Sequence, residues 1–210
     1  MSFASDTKKI ICKQSEKVSN CCELSELAAI LCFAGSLEIK KGITHLKVVS
    51  ENASVAQRLC VLLSCLGLND IKIQAPTSVG GWYVVRIHGD RLDNLADALG
   101  MIQDGEVVLY PSDNVIKFEC CMLSFIKGAF LGGGSITSPD KEYHAEFVTK
   151  VPKLADILMQ LLASLEIKAH LTVRKEQFVV YIKESESIAS LLGSIGAGSA
   201  MMELYYIKIE

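Results

Sequence analysis

The sequence predicts an α/β (α+β) chain in which a helix–strand–strand–helix–strand–strand–helix unit occurs twice, as two pseudo-symmetric αββαββα halves. Three observations carry that expectation. The 210 residues are 50% hydrophobic and 21% charged, which suits a packed core and excludes a disordered chain. The doublets Cys21-Cys22 and Cys120-Cys121 stand 99 residues apart, and that shift aligns "CCELSELAAILCFAGSLEI" with "CCMLSFIKGAFLGGGSITS" without a gap. A repeat at fixed period outranks local propensity. Between the glycines and prolines, apolar residues recur at helical or strand spacing throughout.

The elements follow in order. Residues 1–20 read as an N-terminal helical extension. The first half, 21–100, opens with an apolar helix at about 21–34 and strands at about 36–40 and 45–50. The repeat shift places Leu24 on Leu123, Ser25 on Ser124, Gly35 on Gly134, Ser36 on Ser135 and His45 on His144. It also superimposes Val55, Ala56, Leu59, Leu62, Leu63 and Leu66 on Leu154, Ala155, Leu158, Leu161, Leu162 and Leu165. That spacing is one helix face, so helices are expected at about 52–66 and 151–165. Strands at about 70–75 and 82–88 and a helix at about 90–99 complete the first half.

Residues 101–112 read as a linker and 113–210 as the second half. "PSDN" puts Ser112 or Asp113 where either can cap a long helix at about 113–132. Strands are expected at about 134–137, 143–149, 167–174 and 177–183, where "FVVYI" matches "YVVRI" of the first half. "SPDKE" reads as the hairpin turn. A last helix is expected at about 185–195. "GSIGAGSA" (193–200) reverses the dinucleotide-binding glycine pattern and follows a helix, so it reads as a loop.

Three successive glycines, 132–134, need a reason. Gly128 and Gly132 lie four apart, and Ala29 is the repeat partner of Gly128. Small residues on one face let two helices touch backbone to backbone, so the two "CC" helices are expected to pair on a pseudo-two-fold axis. The other reading is that glycine merely stops a helix.

Net charge is −3, where nucleic-acid binders are often basic, so any such function must come from a local patch. "MSFASDTKKIICKQSEK" lacks the apolar core of a signal peptide, and "LAAILCFAG" is too short to span a bilayer. The expectation is a cytoplasmic protein with reduced thiols, no cofactor and no membrane partner. Adjacent cysteines converge poorly on one ion, so the doublets read as buried thiols packing as small hydrophobes rather than as a zinc site. Cys12, Cys32, Cys60 and Cys65 read the same way. The four histidines are scattered, without metal-ligand spacing.

Strand alternation sorts the faces. Leu37, Ile39, Leu46, Val48, Ile71, Ile73, Val85 and Ile87 are expected to face inward in the first half. Ala145, Phe147, Ala169, Leu171, Val173, Phe178, Val180 and Ile182 do so in the second. The opposite face carries Lys40, Lys47, Lys72, Arg86, Lys168, Arg174 and Lys183, with the acids Glu38 and Glu146. These cations either bind nucleic acid or solvate an exposed sheet.

A helix ending in small residues and then "GSL" or "GSI", twice in one chain and each time followed by ββαββα, resembles the LAGLIDADG homing endonuclease fold. The chain is still more similar to the bacterial WhiA family of transcriptional regulators. The matching stretches include "CCELSELAAILCFAGSL", "SENASVAQRLCVLL", "CCMLSFIKGAFLGGGSITSPDKEYHAEFV", "FVVYIKESESIASLLGSIGA" and "MELYYIKIE".

The resemblance implies a saddle-shaped domain whose concave sheet face holds duplex DNA; the alternative is a protein- or ligand-interaction module using that face without direct DNA contact. In the nucleases an acidic residue precedes the last glycine of each signature helix and holds catalytic metal. Here those positions are Ala34 and Gly133, so the resemblance implies no catalysis and no metal there. It also implies a regulatory role in sporulation, cell division or chromosome segregation, at the nucleoid. WhiA proteins continue into a helix-turn-helix domain, which this chain, read as the amino-terminal domain, lacks.

Overall fold

The computed structural model describes residues 2–13, 19–78 and 80–209, with only the backbone of Lys208 and Ile209. Met1, residues 14–18, Val79 and Glu210 lie outside the described residues, and with them parts of the expected segments 1–20 and 113–210.

Two helices occupy the centre, α2 (Asn20–Ala34) and α5 (Glu119–Gly133). Both are apolar nearly all round, as expected of helices buried on several sides. Each leads directly into a strand. In the first half β1 (Gly35–Lys40), β2 (Ile43–Ser50), α3 (Ala53–Cys65), β3 (Ile73–Gln74), β4 (Tyr83–His88) and α4 (Asp90–Ala98) follow. In the second half β7 (Gly134–Ile136), β8 (Ala145–Thr149), α6 (Pro152–Ser164), β9 (His170–Arg174), β10 (Gln177–Ile182) and α7 (Ser185–Ser194) follow α5. The antiparallel sheets have the same order, β1-β2-β4-β3 and β7-β8-β10-β9. A mixed α/β chain with a duplicated helix-and-sheet unit is therefore borne out. Between the halves lies a small hairpin, β5 (Ile102–Gln103) with β6 (Glu106–Val107).

The first helix, α1 (Phe3–Lys13), packs against α3 and also reaches β7. Thr7 and Ile11 form its buried side. Asn52 fixes it. That side chain caps α3 by accepting from the Ser54 N–H at 3.0 Å, while its Nδ2 donates to the Ser5 carbonyl at 3.0 Å.

Several expectations need correction. The helix expected at 113–132 is divided into a 3-10 turn, Asp113–Ile116, and α5. Phe118, extended at φ −99 and ψ 153, is the residue that caps α5. Ser112 precedes the 3-10 turn and makes no side-chain cap bond. The helix restarts where the repeat demands it, so that Cys120 and Cys121 align with Cys21 and Cys22. The strand expected at 70–75 shortens to Ile73–Gln74, with Pro76 close behind. Leu37, Ile39, Leu171 and Val173 have the inward parity but are exposed, Ile39 at 78% and Val173 at 61%. They sit on the edge strands β1 and β9, where parity fixes the face without supplying cover. The loop expected over 193–200 ends early: Gly196, at φ +80, turns the chain, and α8 (Gly198–Ile209) begins.

Candidate nucleic-acid interface

The α2–α5 pair is packed more extensively than any other pair of elements. At its waist a Cβ on Gly128 would lie 2.3 Å from the Glu26 carbonyl oxygen and 2.8 Å from the Ala29 Cβ. A Cβ on Gly132 would meet Phe33 Cβ at 3.1 Å and the Ile30 carbonyl oxygen at 3.2 Å. Glycine is what lets the backbones come this close. Farther along, the buried Ser25 hydroxyl donates to the Cys121 carbonyl at 2.6 Å and ties one helix to the other.

The C-terminal ends of the pair hold Ala34 and Gly133, and neither has a ligand atom. Gly133 has no room for one: a Cβ would sit 2.7 Å from the Val148 carbonyl oxygen and 2.9 Å from Phe33 Cδ1. Beside this end opens a cavity of about 600 Å³, lined by Gly132–Ser135, Lys8, Glu51, Asn52 and Trp82 among others. Lys8, contributed by α1, lies 5.8 Å from the Phe130 ring centroid. Burial lowers its pKa to about 8, against the opposing pull of Cys12 and Glu51.

The sheet faces carry the cations. In the first sheet Lys47 stands opposite both Ser36 and Arg86, so Lys40, Lys47 and Arg86 share a face with Glu38. Lys72, just ahead of β3, is exposed. In the second sheet Arg174 shares a face with Glu146 and Tyr181, and Lys168 and Lys183 flank the same strands. Much of this charge is internally compensated. Glu38 binds Lys40 at 2.8 Å and Lys47 at 3.4 Å, and Lys40 first of all holds its carboxyl below the usual range. Glu146 binds Arg174 at 3.1 Å, and Glu184 binds Lys168 at 3.3 Å. Arg86 donates to Gln74, and Lys183 lies 5.5 Å from the Tyr181 ring centroid. Lys72, Arg86 and Lys183 have no acidic partner among the described residues.

The same faces gather all four histidines, which sequence reading left scattered. His45 and His88 are cross-strand partners with ring centroids 4.9 Å apart. His144 and His170 flank Tyr181, at 6.1 Å and 5.4 Å. The strand parity that sorted the lysines would have found them.

Two interior clusters were also missed. Glu26, 1% exposed, accepts a two-pronged bond from Arg58 at 2.8 Å on each oxygen, and Lys127 closes on it at 2.7 Å. Burial pushes the Glu26 carboxyl up, but the two cations outweigh that and hold it below its usual range. The other cluster corrects the reading of the cysteine doublets. The Sγ atoms of Cys21, Cys22, Cys120 and Cys121 all lie within 4.8 Å of one another. The adjacent cysteines of each doublet bring their sulfurs together, and the two doublets meet where the helices pair. Cys120 is exposed rather than buried, as is Cys65.

Residues 20–102 match the WhiA N-terminal LAGLIDADG-like domain, and residues 122–210 match the WhiA LAGLIDADG-like domain. The whole chain is 36% identical over 214 residues to "Probable cell division protein WhiA" of Desulfitobacterium hafniense, covering 67% of it. It is 33% identical to the protein of that name from Heliobacterium modesticaldum, again covering 67%. The chain thus spans about two thirds of these relatives. Full-length DUF199/WhiA from Thermatoga maritima superimposes with a TM-score of 0.77 at 19% identity, over 100% of this chain and 66% of that one. I-DmoI in complex with DNA and Mn superimposes with a TM-score of 0.60 at 17% identity, over 84% of this chain and 97% of that one. The LAGLIDADG fold is therefore shared. No helix among the described residues is long and apolar enough to cross a membrane.

Proposed function

The chain belongs to the WhiA family, and from that premise we propose that it is a catalytically inactive LAGLIDADG-like domain of a DNA-binding transcriptional regulator. Its setting is cell division, sporulation or chromosome segregation, at the nucleoid in the cytoplasm. The name borne by its relatives, probable cell division protein, supports that setting. Gly133 carries the loss of catalysis. Metal-dependent phosphodiester cleavage needs carboxylates between the helix ends, and at Gly133 even a methyl group would collide with the Val148 carbonyl. Ala34, at the matching end, brings no ligand atom either. Purified protein should leave supercoiled plasmid intact with Mg²⁺ or Mn²⁺. Metal-dependent cleavage that follows the protein through purification would defeat this reading.

The basic residues of the sheet faces support DNA contact of a positioning kind. Lysine meets phosphate as a point charge and carries no base code. Sequence-specific docking belongs to the helix-turn-helix domain that WhiA proteins carry beyond this region. Binding by this chain should be weak, tolerant of sequence and steeply salt-dependent, because each neutralised phosphate releases counterions. Joint reversal of Lys72, Arg86, Arg174 and Lys183 to glutamate should weaken binding to specific and random duplexes alike. A variant that binds as wild type at low salt would hand the face to a protein partner. The ion pairs that Glu38 and Glu146 make with Lys40, Lys47 and Arg174 favour that second reading.

A further inference from the structure

The first turns of α2 and α5 point the same way and end side by side. Cys21 and Cys22 follow the Ser19 cap of α2, and Cys120 and Cys121 follow the Phe118 cap of α5. Each helix so contributes two thiols, and all four sulfurs fall within 4.8 Å of one another. We propose that these four cysteines form a tetrahedral thiolate site for one zinc ion, which staples the two halves of the chain together.

The dimensions suit a single ion. With Zn–S bonds of about 2.3 Å, a regular tetrahedron sets its sulfurs about 3.8 Å apart. The observed spread, within 4.8 Å, exceeds that distance by about 1 Å at most. An iron–sulfur cubane needs its four cysteines farther apart, since the irons and sulfides stand between them.

The charge is partly offset. Four thiolates around Zn²⁺ leave a net charge of −2, and the two helix N-termini beside it, each equivalent to roughly +0.5 of a charge, cancel about half of that. Helix N-termini are where thiolates are stabilised. The next shell is in place: the Ser19 hydroxyl lies 3.1 Å from the sulfurs of both Cys21 and Cys22. The Ser25–Cys121 hydrogen bond holds the two helices in register directly behind the sulfurs. Access is open on two sides. Cys120 is exposed, and a cavity of about 380 Å³ lined by Leu24, Asp97 and Asn114 reaches Cys21. Four protein ligands leave no position for water, so the site is structural and not catalytic.

The test is metal binding by the fully reduced chain under anaerobic conditions. Co²⁺ should give the intense visible bands of tetrahedral cobalt thiolate, and Zn²⁺ should displace it at one ion per chain. Cys120→Ser changes an exposed side chain and should keep the fold by circular dichroism. It should lose the cobalt bands and weaken zinc by more than the ~10–100-fold that outer-shell changes cause. If Cys120→Ser fails to fold, Cys21→Ser serves in its place. Ser19→Ala should weaken zinc by about tenfold. Cys65→Ser, an exposed thiol outside the cluster, should bind as wild type. The proposal fails if reduced wild type takes up no more cobalt than the chain with all four cysteines changed to serine. It fails equally if Cys65→Ser abolishes the bands while Cys120→Ser leaves them.

Discussion

The two halves share a strand order and differ where they meet. On one flank of the α2–α5 pair lie Glu26, Arg58 and Lys127, a buried ion triad. The positions that repeat them are Phe125, Ile157 and Ala28, and those are apolar. Helix α1 packs on α3 beside the polar flank, and its Cys12 thiol is pushed up to about 12 by burial first and then by the Glu26 carboxylate. The duplicated frame has thus been kept while the junction has become one-sided. A buried triad is poor evidence of net stability, because desolvation can consume what attraction returns. Its value is directional: Lys127 of the second half must find Glu26 of the first, and a slipped or inverted pairing leaves charge buried without a partner.

The largest expected effect tests that directionality. Arg58→Ala should cost about 3–5 kcal/mol by stripping a buried carboxylate of its two-pronged partner. Ile157→Val, the matching position on the other flank, should cost only ~0.5–1.5 kcal/mol. Urea unfolding of both variants checks the contrast, and equal losses would erase it. The same triad sets an acid limb. Glu26 has a lowered pKa when folded, so its contribution is full above the unfolded value and lost as pH falls through the folded one. Stability should fall with acidification in wild type and fall less steeply in Arg58→Ala.

Next comes the waist. Gly128→Leu should cost at least the upper part of the ~1–3 kcal/mol typical of overpacking, because its first carbon meets a backbone oxygen. An unchanged thermal midpoint would mean the helices are not in contact there.

The smallest effect concerns α1. Lys8 has its pKa lowered to about 8, so between that value and the ordinary lysine value the unfolded chain holds the extra proton. Stability should therefore rise across that interval in wild type, and Lys8→Met should remove the slope. Unfolding midpoints at a series of alkaline pH values would show it. A wild type with no such rise would place Lys8 in water.

The repeat made most of this fold legible. Once Cys21-Cys22 was laid on Cys120-Cys121, both helices and both sheets could be placed to within a few residues. What escaped had no repeat partner or depended on tertiary cover. Asp113–Ile116 carried helix signals but belongs to the connection rather than to α5. Ile39 and Val173 obeyed strand parity, yet nothing lies over them. The cysteine cluster was invisible because spacing rules discount adjacent cysteines as convergent ligands. Here adjacent cysteines converge, and helix pairing brings the two doublets together. The triad could have been suspected from the one place where the repeat sets Glu26 and Arg58 against Phe125 and Ile157.

The contact at Gly128 makes the helix pair a pivot and each sheet a lever arm. A six-residue strand such as β1 extends about 20 Å. A turn of ~5° at the pivot then moves a strand tip by about 1.7 Å, given that rise per residue. A change that nudges the waist therefore alters how far apart the two sheets hold their basic side chains, without touching one of them. Phosphates are spaced at fixed intervals along a duplex, so under the proposed DNA-contact reading the spacing of those side chains is set at a position away from the sheet faces.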